Sequence, residues 1–241
     1  MMTYRDGATG LPHPSYDLWE EKHSISTFTR ASVFGALKAA AMLARVLGKA
    51  SRADEYDRVA EEMREAILTH LVSEEAGGFV KLVETFEKKT IYDRTADLSS
   101  VYGIFTFGVL EPDDPRLASA FENTVARIRV DGGIGRYEAD KYFRTSDKSN
   151  PWFITTLWYA QYLIARAKTA DDLAPVRDIF EWVAAHAQPS GVLSEQISAV
   201  DGRQRSVAPL AWSHAAYVDT VLDYLDKLEK LGVCAACNPA P

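Results

Sequence analysis

Helical segments of two kinds alternate along this chain. Residues 25–48, from Ile25 through Phe34, Leu37, Ala41 and Ala44 to Gly48, are apolar nearly all round, which predicts a buried helix. Residues 51–71 instead set Tyr56, Val59, Ala60, Met63, Ile67 and Leu71 on one stripe, with Arg52, Glu55, Arg58 and Glu62 opposite. That pattern predicts an amphipathic outer helix, opened by a Ser51–Asp54 capping box. The alternation then repeats. Residues 97–110 are mostly apolar, and 114–130 carry a stripe of Leu117, Phe121, Val125 and Ile128. Residues 151–168 are apolar all round, with Pro151 suited to a first helical turn. Residues 171–188 are amphipathic and opened by Thr169 and Asp172, and 208–231 form a long, mainly apolar helix. Seven helices in inner, outer, inner order predict an all-α fold, an α/α toroid or solenoid. A short β-hairpin is expected at 78–92, where apolar residues alternate between Gly77-Gly78 and Asp93. Without a Pro-, Gly- or Ser-rich linker, residues 1–232 read as one domain, followed by a disordered tail at 233–241.

Charge and composition exclude several function classes. The net charge of −7 argues against a phosphate backbone as partner. There is no run of 18 apolar residues to span a membrane. The N-terminus lacks the apolar core of a signal peptide, so a cytoplasmic location is expected. Cys234 and Cys237 stand in a small-residue tail, with no second pair to complete a zinc site. His13, His23, His70, His186 and His214 show no metal-binding spacing. No metal or organic cofactor is expected.

The connections into the inner helices (1–24, 72–96, 131–150 and 189–207) are long, and those leading out are short. In a two-layer helical fold the long loops share one rim, where sites are built. They hold Tyr16-Asp17-Leu18-Trp19-Glu20-Glu21, then Gly135-Arg136-Tyr137 through Asp140 to Asn150-Pro151-Trp152, then Ser194-Glu195-Gln196. Indoles stack on apolar sugar faces, and charged groups pair with hydroxyls. Each piece also has a plain structural reading. Trp19 and Trp152 are ordinary core aromatics, Glu20-Glu21 a solvated pair, and Arg136 a bridge to Glu138 or Asp140.

Taken in order, the three segments resemble the glucoamylase-like glycoside hydrolases of family fifteen. The first, followed by Phe28-Thr29, is similar to the family's general-acid segment. The second, with Phe153, is similar to a sugar-binding segment. The third, followed by Leu210-Ala211-Trp212-Ser213-His214, is similar to the general-base segment. The resemblance implies a partial (α/α)6 barrel that removes glucose from non-reducing ends of α-glucans with inversion. It implies Glu20 as general acid and Glu195 as general base. Tyr16, Asp17, Trp19, Glu21, Arg136, Asp140, Trp152 and Trp212 become substrate-binding residues. Inverting hydrolysis needs an acid that keeps its proton and an ionised base about 6.5–9.5 Å away, leaving room for water.

The family's barrel has twelve helices, against seven here, and helices precede its general-acid segment. The resemblance therefore implies a truncated or split product, or a fragment. The apolar flanks of 25–48 and 208–231 would be exposed, which predicts instability, aggregation or pairing with a separate chain supplying the N-terminal helices. The alternatives are a trehalase or an isomaltose or dextran glucosidase on the same scaffold, and a non-catalytic carbohydrate-binding helical fragment.

Overall fold

A computed structural model describes residues 2–86, 89–144 and 146–234. It divides into two compact units between Thr124 and Val125. Seven α-helices occur among the described residues, each within a few residues of its expected place. None is long and apolar enough to cross a membrane.

The first unit opens with a hairpin of β1 (Ser15–Tyr16) and β2 (His23–Ser26) that runs straight into α1 (Thr27–Val46). Periodicity had started that helix at Ile25. In the structure Ile25 belongs to a strand and Ser26 caps the helix, accepting from the Thr29 amide. At the other end Gly48 turns left-handed (φ 69°), and the Lys49 amide returns to the Ala44 carbonyl. That turn leads at once into α2 (Ala50–His70), so Lys49 sits at its cap and Ser51 lies inside the helix. The Ser51–Asp54 capping box is therefore not formed. Helix α2 packs on α1, and Lys38 and Arg45 of α1 both reach Asp57 of α2.

After α2, a two-residue ladder joins β3 (Val72–Ser73) to β4 (Gly78–Phe79). The expected hairpin lies just beyond, as β5 (Leu82–Phe86) paired with β6 (Lys89–Asp93). The residues at its tip, 87 and 88, lie outside the described residues. Pairing of β5 with β2 extends it into a four-stranded sheet, in the order β1-β2-β5-β6. Helix α3 (Leu98–Thr106), capped by Asp97, packs on α1. Gly103 allows that approach, because a Cβ there would lie 3.0 Å from the Phe28 ring. Helix α4 (Pro115–Ile128) carries the chain into the second unit.

The second unit is built on α5 (Phe153–Arg166), with residues 150–158 all buried. Before it come β7 (Arg129–Val130) and β8 (Gly133–Ile134). Trp152 caps α5, so Pro151 lies outside the helix, and its carbonyl instead accepts from the Ile197 amide. Next is α6 (Ala174–His186), preceded by a single 3-10 turn. The expected Thr169–Asp172 box is present. Asp172 accepts from the Thr169 amide at 2.8 Å, and Thr169 Oγ1 accepts from the Asp172 amide at 3.3 Å. Two short strands, β9 (Gln196–Ile197) and β10 (Gln204–Arg205), precede α7 (Ala211–Lys230). Both α6 and α7 pack on α5.

Helix α1 thus pairs with α2 in the first unit and α5 with α6 in the second, but two inner helices are not buried all round. Met42, Leu43 and Val46 of α1 are exposed, as are Tyr217, Val218 and Leu222 of α7. These are the apolar flanks predicted to lie open. The expected tail at 233–241 falls largely outside the described residues.

The tightest spot in the second unit is Gly133, where a Cβ would fall 2.5 Å from Trp182 and 2.7 Å from Pro151. Gly133→Ala is expected to lower stability by about 1–3 kcal/mol through overpacking. Gly7, with nothing within 4 Å of its Cβ position, is the control, and Gly7→Ala should stay within about 0.5 kcal/mol. Urea denaturation of both variants checks this.

Candidate functional site

The segment from Asp17 to Lys22 forms the tip of the β1–β2 hairpin. The Asp17 amide bonds the Lys22 carbonyl, and Asp17 Oδ1 accepts from the Glu21 amide at 2.8 Å and the Lys22 amide at 3.3 Å. One buried carboxylate therefore ties the turn from inside. Its other oxygen, Oδ2, is buried without a hydrogen-bond partner. The turn places Glu20 at φ 58°, a conformation that non-glycine residues rarely hold without surrounding constraint. The Glu20 and Glu21 side chains are exposed, as is Tyr16, whose ring meets His23 edge-on at 5.6 Å.

Trp19 is anchored from far along the chain, since its Nε1 donates to Asp97 Oδ2 at 3.1 Å. Asp97 is buried, also accepts from the Ser99 amide and hydroxyl, and pairs with Lys81 at 3.4 Å. Sequence reading missed this support. An Asp before a helix is legible as a cap, but its bond to an indole 78 residues away is not. Burial pushes the Asp97 carboxyl up, while the Lys81 ammonium, the Ser99 hydroxyl and the Trp19 N–H oppose it. The folded form therefore holds this proton more tightly than the unfolded chain does. The resulting stability is full below the ordinary carboxylate range and is lost as pH rises through the raised value. Asp97→Asn, which cannot titrate, should show a flatter fall of the urea midpoint than the parent as pH rises above the ordinary carboxylate range.

In the second unit, the connections leading into α5 and α7 are laced by backbone pairing. Ile134 bridges Trp152, Trp152 bridges Gln196, and Gln196 pairs with Arg205. Glu195 lies in this lacing. Its amide bonds the Val207 carbonyl at 3.0 Å, and its carbonyl accepts from Phe153 at 3.4 Å. Its half-buried carboxylate accepts from the Ser206 hydroxyl through Oε2. Ser206 takes a positive φ of 63°.

Next to this lacing lies a buried charged cluster. Arg136, 4% exposed, donates Nε and Nη2 to the two oxygens of Asp140 at 2.8 and 2.9 Å. Its guanidinium lies 4.5 Å from the Trp152 ring centroid and 5.0 Å from that of Tyr142. Of the two bridging partners expected, Asp140 takes Arg136, and Glu138 pairs instead with Arg127. Asp140 also accepts from the Tyr142 amide and is 2% exposed, so its oxygens are committed to protein donors. Asn150 ties the same region together, donating to Gln196 at 2.7 Å and accepting from the Ala199 amide. Trp212, in the first turn of α7, is partly exposed and meets Trp158 edge-on at 5.6 Å. His214 has a structural task, its Nε2 accepting from the Leu193 amide at 3.1 Å.

No group of three or more His, Cys, Asp or Glu suited to a metal ion occurs among the described residues. The groups these segments hold are carboxylates, indoles and a guanidinium.

Known proteins similar to this chain include glycoside hydrolases. A glycosyl hydrolase of Methanocaldococcus jannaschii, itself uncharacterized, is 28% identical over 215 residues, 85% of this chain and 33% of that protein. The trehalase of Mycobacterium tuberculosis is 25% identical over 232 residues, 94% of this chain and 32% of that enzyme. This chain thus spans about a third of the length of these curated relatives. The family 15 glucoamylase of Hypocrea jecorina shares the fold, an (α/α)6 barrel, with a TM-score of 0.70 at 20% identity, over 97% of this chain and 48% of that one. The family profile of glycosyl hydrolases family 15 matches residues 10–222. With nearly the whole sequence inside that match, the chain belongs to glycosyl hydrolases family 15.

Proposed function

We propose that this chain carries the catalytic carboxylates of an inverting α-glucosidase of the glucoamylase type, which frees glucose from non-reducing ends of α-glucans. Glu20 gives its proton to the glycosidic oxygen. Glu195 takes a proton from the water that attacks the anomeric carbon from the opposite face. The observation that carries this reading is the mounting of Glu195. Its backbone is held on both sides and its carboxylate is aimed by the Ser206 hydroxyl, as a base that must hold one water in line requires. Arg136 offers a guanidinium to sugar hydroxyls and Asp140 orients it. Trp19, Trp152 and Trp212 supply ring faces, while Tyr16, Asp17 and Glu21 complete the polar contacts. The exposed apolar flanks of α1 and α7 support a further proposal, that helices of a separate chain pack there and complete the substrate pocket.

The trehalase among the relatives favours a second reading, the same two carboxylates acting on trehalose, with isomaltose as a further candidate. A panel of maltose, trehalose and isomaltose, followed by proton NMR of the anomeric signals, separates these. Maltose is expected to be cleaved fastest, with β-glucose appearing first. An initial α-glucose signal larger than the reducing end of maltose itself supplies would overturn inversion, and cleavage of trehalose alone would establish the second reading. Binding without turnover would reduce the chain to a carbohydrate-binding fragment.

A further inference from the structure

Trp19 sits in the hairpin tip directly before Glu20, whose backbone holds φ 58°. The Glu20 side chain is exposed, so its backbone does the aiming. A non-glycine residue keeps such a φ only where its surroundings enforce it. Within the tip, Asp17 ties the turn to itself through the Glu21 and Lys22 amides. Beyond the tip, the Trp19 indole is bonded to Asp97, and Asp97 divides its carboxylate between two tasks. Oδ1 accepts from the Ser99 amide and hydroxyl and so caps α3. Oδ2 accepts from Trp19 Nε1 at 3.1 Å and lies 3.4 Å from Lys81 Nζ. We infer that this second oxygen makes Asp97 a positioning residue for catalysis. It fixes the Trp19 indole, and through it the turn from which Glu20 delivers its proton.

The anchor is itself rigid. Asp97 is buried at the start of α3, which packs on α1. Lys81 is buried just before β5, and its backbone is held on both sides. Its amide bonds the Asp93 carbonyl at 2.9 Å, and its carbonyl accepts from the Thr27 amide at 3.1 Å. The ammonium therefore stands at a fixed place and offsets the burial of the carboxylate charge. Capping α3 does not call for this arrangement, because a serine or asparagine would cap it as well. Only an acid offers one oxygen to the cap and a second, charged one to the indole. A bond to a charged acceptor is roughly twice as strong as one between neutral groups. Glu195 is held by other residues, Phe153, Ser206 and Val207, so loosening the tip affects proton delivery and leaves the base in place. The inference rests on the reading of Glu20 as general acid.

The test measures kcat on maltose, whose leaving group needs a proton, and on glucosyl fluoride, whose leaving group needs none, in the assembly used for the parent. Asp97→Asn keeps an acceptor for the cap but turns an amide NH2 towards Trp19 and Lys81. Its kcat on maltose is expected to fall about 10–100-fold, with little change on glucosyl fluoride. Trp19→Phe keeps a ring and the Lys81–Asp97 pair but lacks the N–H, and should show the same selective loss. The double variant should be no slower than the slower single one. Altered sugar contact raises KM on both substrates alike, and partial unfolding lowers both rates alike, so neither imitates a loss of kcat on maltose alone. Equal losses on the two substrates, losses that multiply in the double variant, or a parental kcat on maltose in Trp19→Phe overturn the inference. Should circular dichroism show Asp97→Asn unfolded, Trp19→Phe decides by itself. Glu20→Gln is the reference. If it loses both substrates equally, the reading of Glu20 as acid fails and the inference with it. If it is selective while Asp97→Asn and Trp19→Phe are not, that reading stands and only the positioning role falls.

Discussion

Glu195→Gln is expected to release glucose roughly 10²–10⁴-fold more slowly than the parent in the same assembly, with KM changed little. The substitution keeps the size of the side chain and a carbonyl oxygen for the Ser206 hydroxyl, so the lacing of Glu195 through Phe153 and Val207 should hold. What is lost is the ability to take a proton from water. Glu20→Gln should lose a comparable factor on substrates with poor leaving groups. It should lose much less on glucosyl fluoride, whose leaving group needs no proton. Azide added to Glu195→Gln should restore turnover in part, because a charged nucleophile needs no base. Either variant cleaving maltose at the parental rate removes that residue from the mechanism. Equal losses of both on glucosyl fluoride would remove the division of roles between them.

Asp140→Ala should destabilise the second unit by about 3–5 kcal/mol, the cost of leaving a buried charge without its partner. Arg136 and Asp140 are 4% and 2% exposed, and the two bonds between them run through both carboxylate oxygens. Truncating Asp140 removes both of these bonds from a guanidinium held against Trp152 and Tyr142. The double variant Arg136→Met/Asp140→Ala should recover most of the loss, because a methionine side chain fills similar volume without a charge. Urea unfolding of the two single variants and the double completes the cycle. Additive losses in the double variant would mean that the pair is not coupled and that Arg136 is held by other groups. The same cycle bears on function. If Asp140 serves to orient Arg136, Asp140→Asn, which stays isosteric, should raise KM more than it lowers kcat.

The helices were readable because their evidence is local. Periodic burial along 51–71 or 171–188 is carried by residues three and four apart, so α2 and α6 could be placed from side-chain spacing alone. The candidate residues Glu20, Arg136, Trp152 and Glu195 were equally readable as members of short segments that resemble a family. Where local signals were misread, a longer-range contact had priority. Ile25 fits a helix by pattern, yet pairs with Val83 in the sheet, so α1 begins two residues later. Pro151 fits a first turn, yet its carbonyl is used by Ile197, which leaves it outside α5.

What the sequence determined by itself was therefore the kind and order of the helices, the β5–β6 hairpin and the chemical types gathered in the long loops. Those follow from nearest neighbours along the chain. Tertiary structure alone decided how the functional groups are held. Asp97 takes the Trp19 indole, Ser206 takes the Glu195 carboxylate, and Asp140 rather than Glu138 takes Arg136. Each of these depends on which buried polar atom finds a partner once water is excluded, and that competition is resolved only when distant segments are packed together.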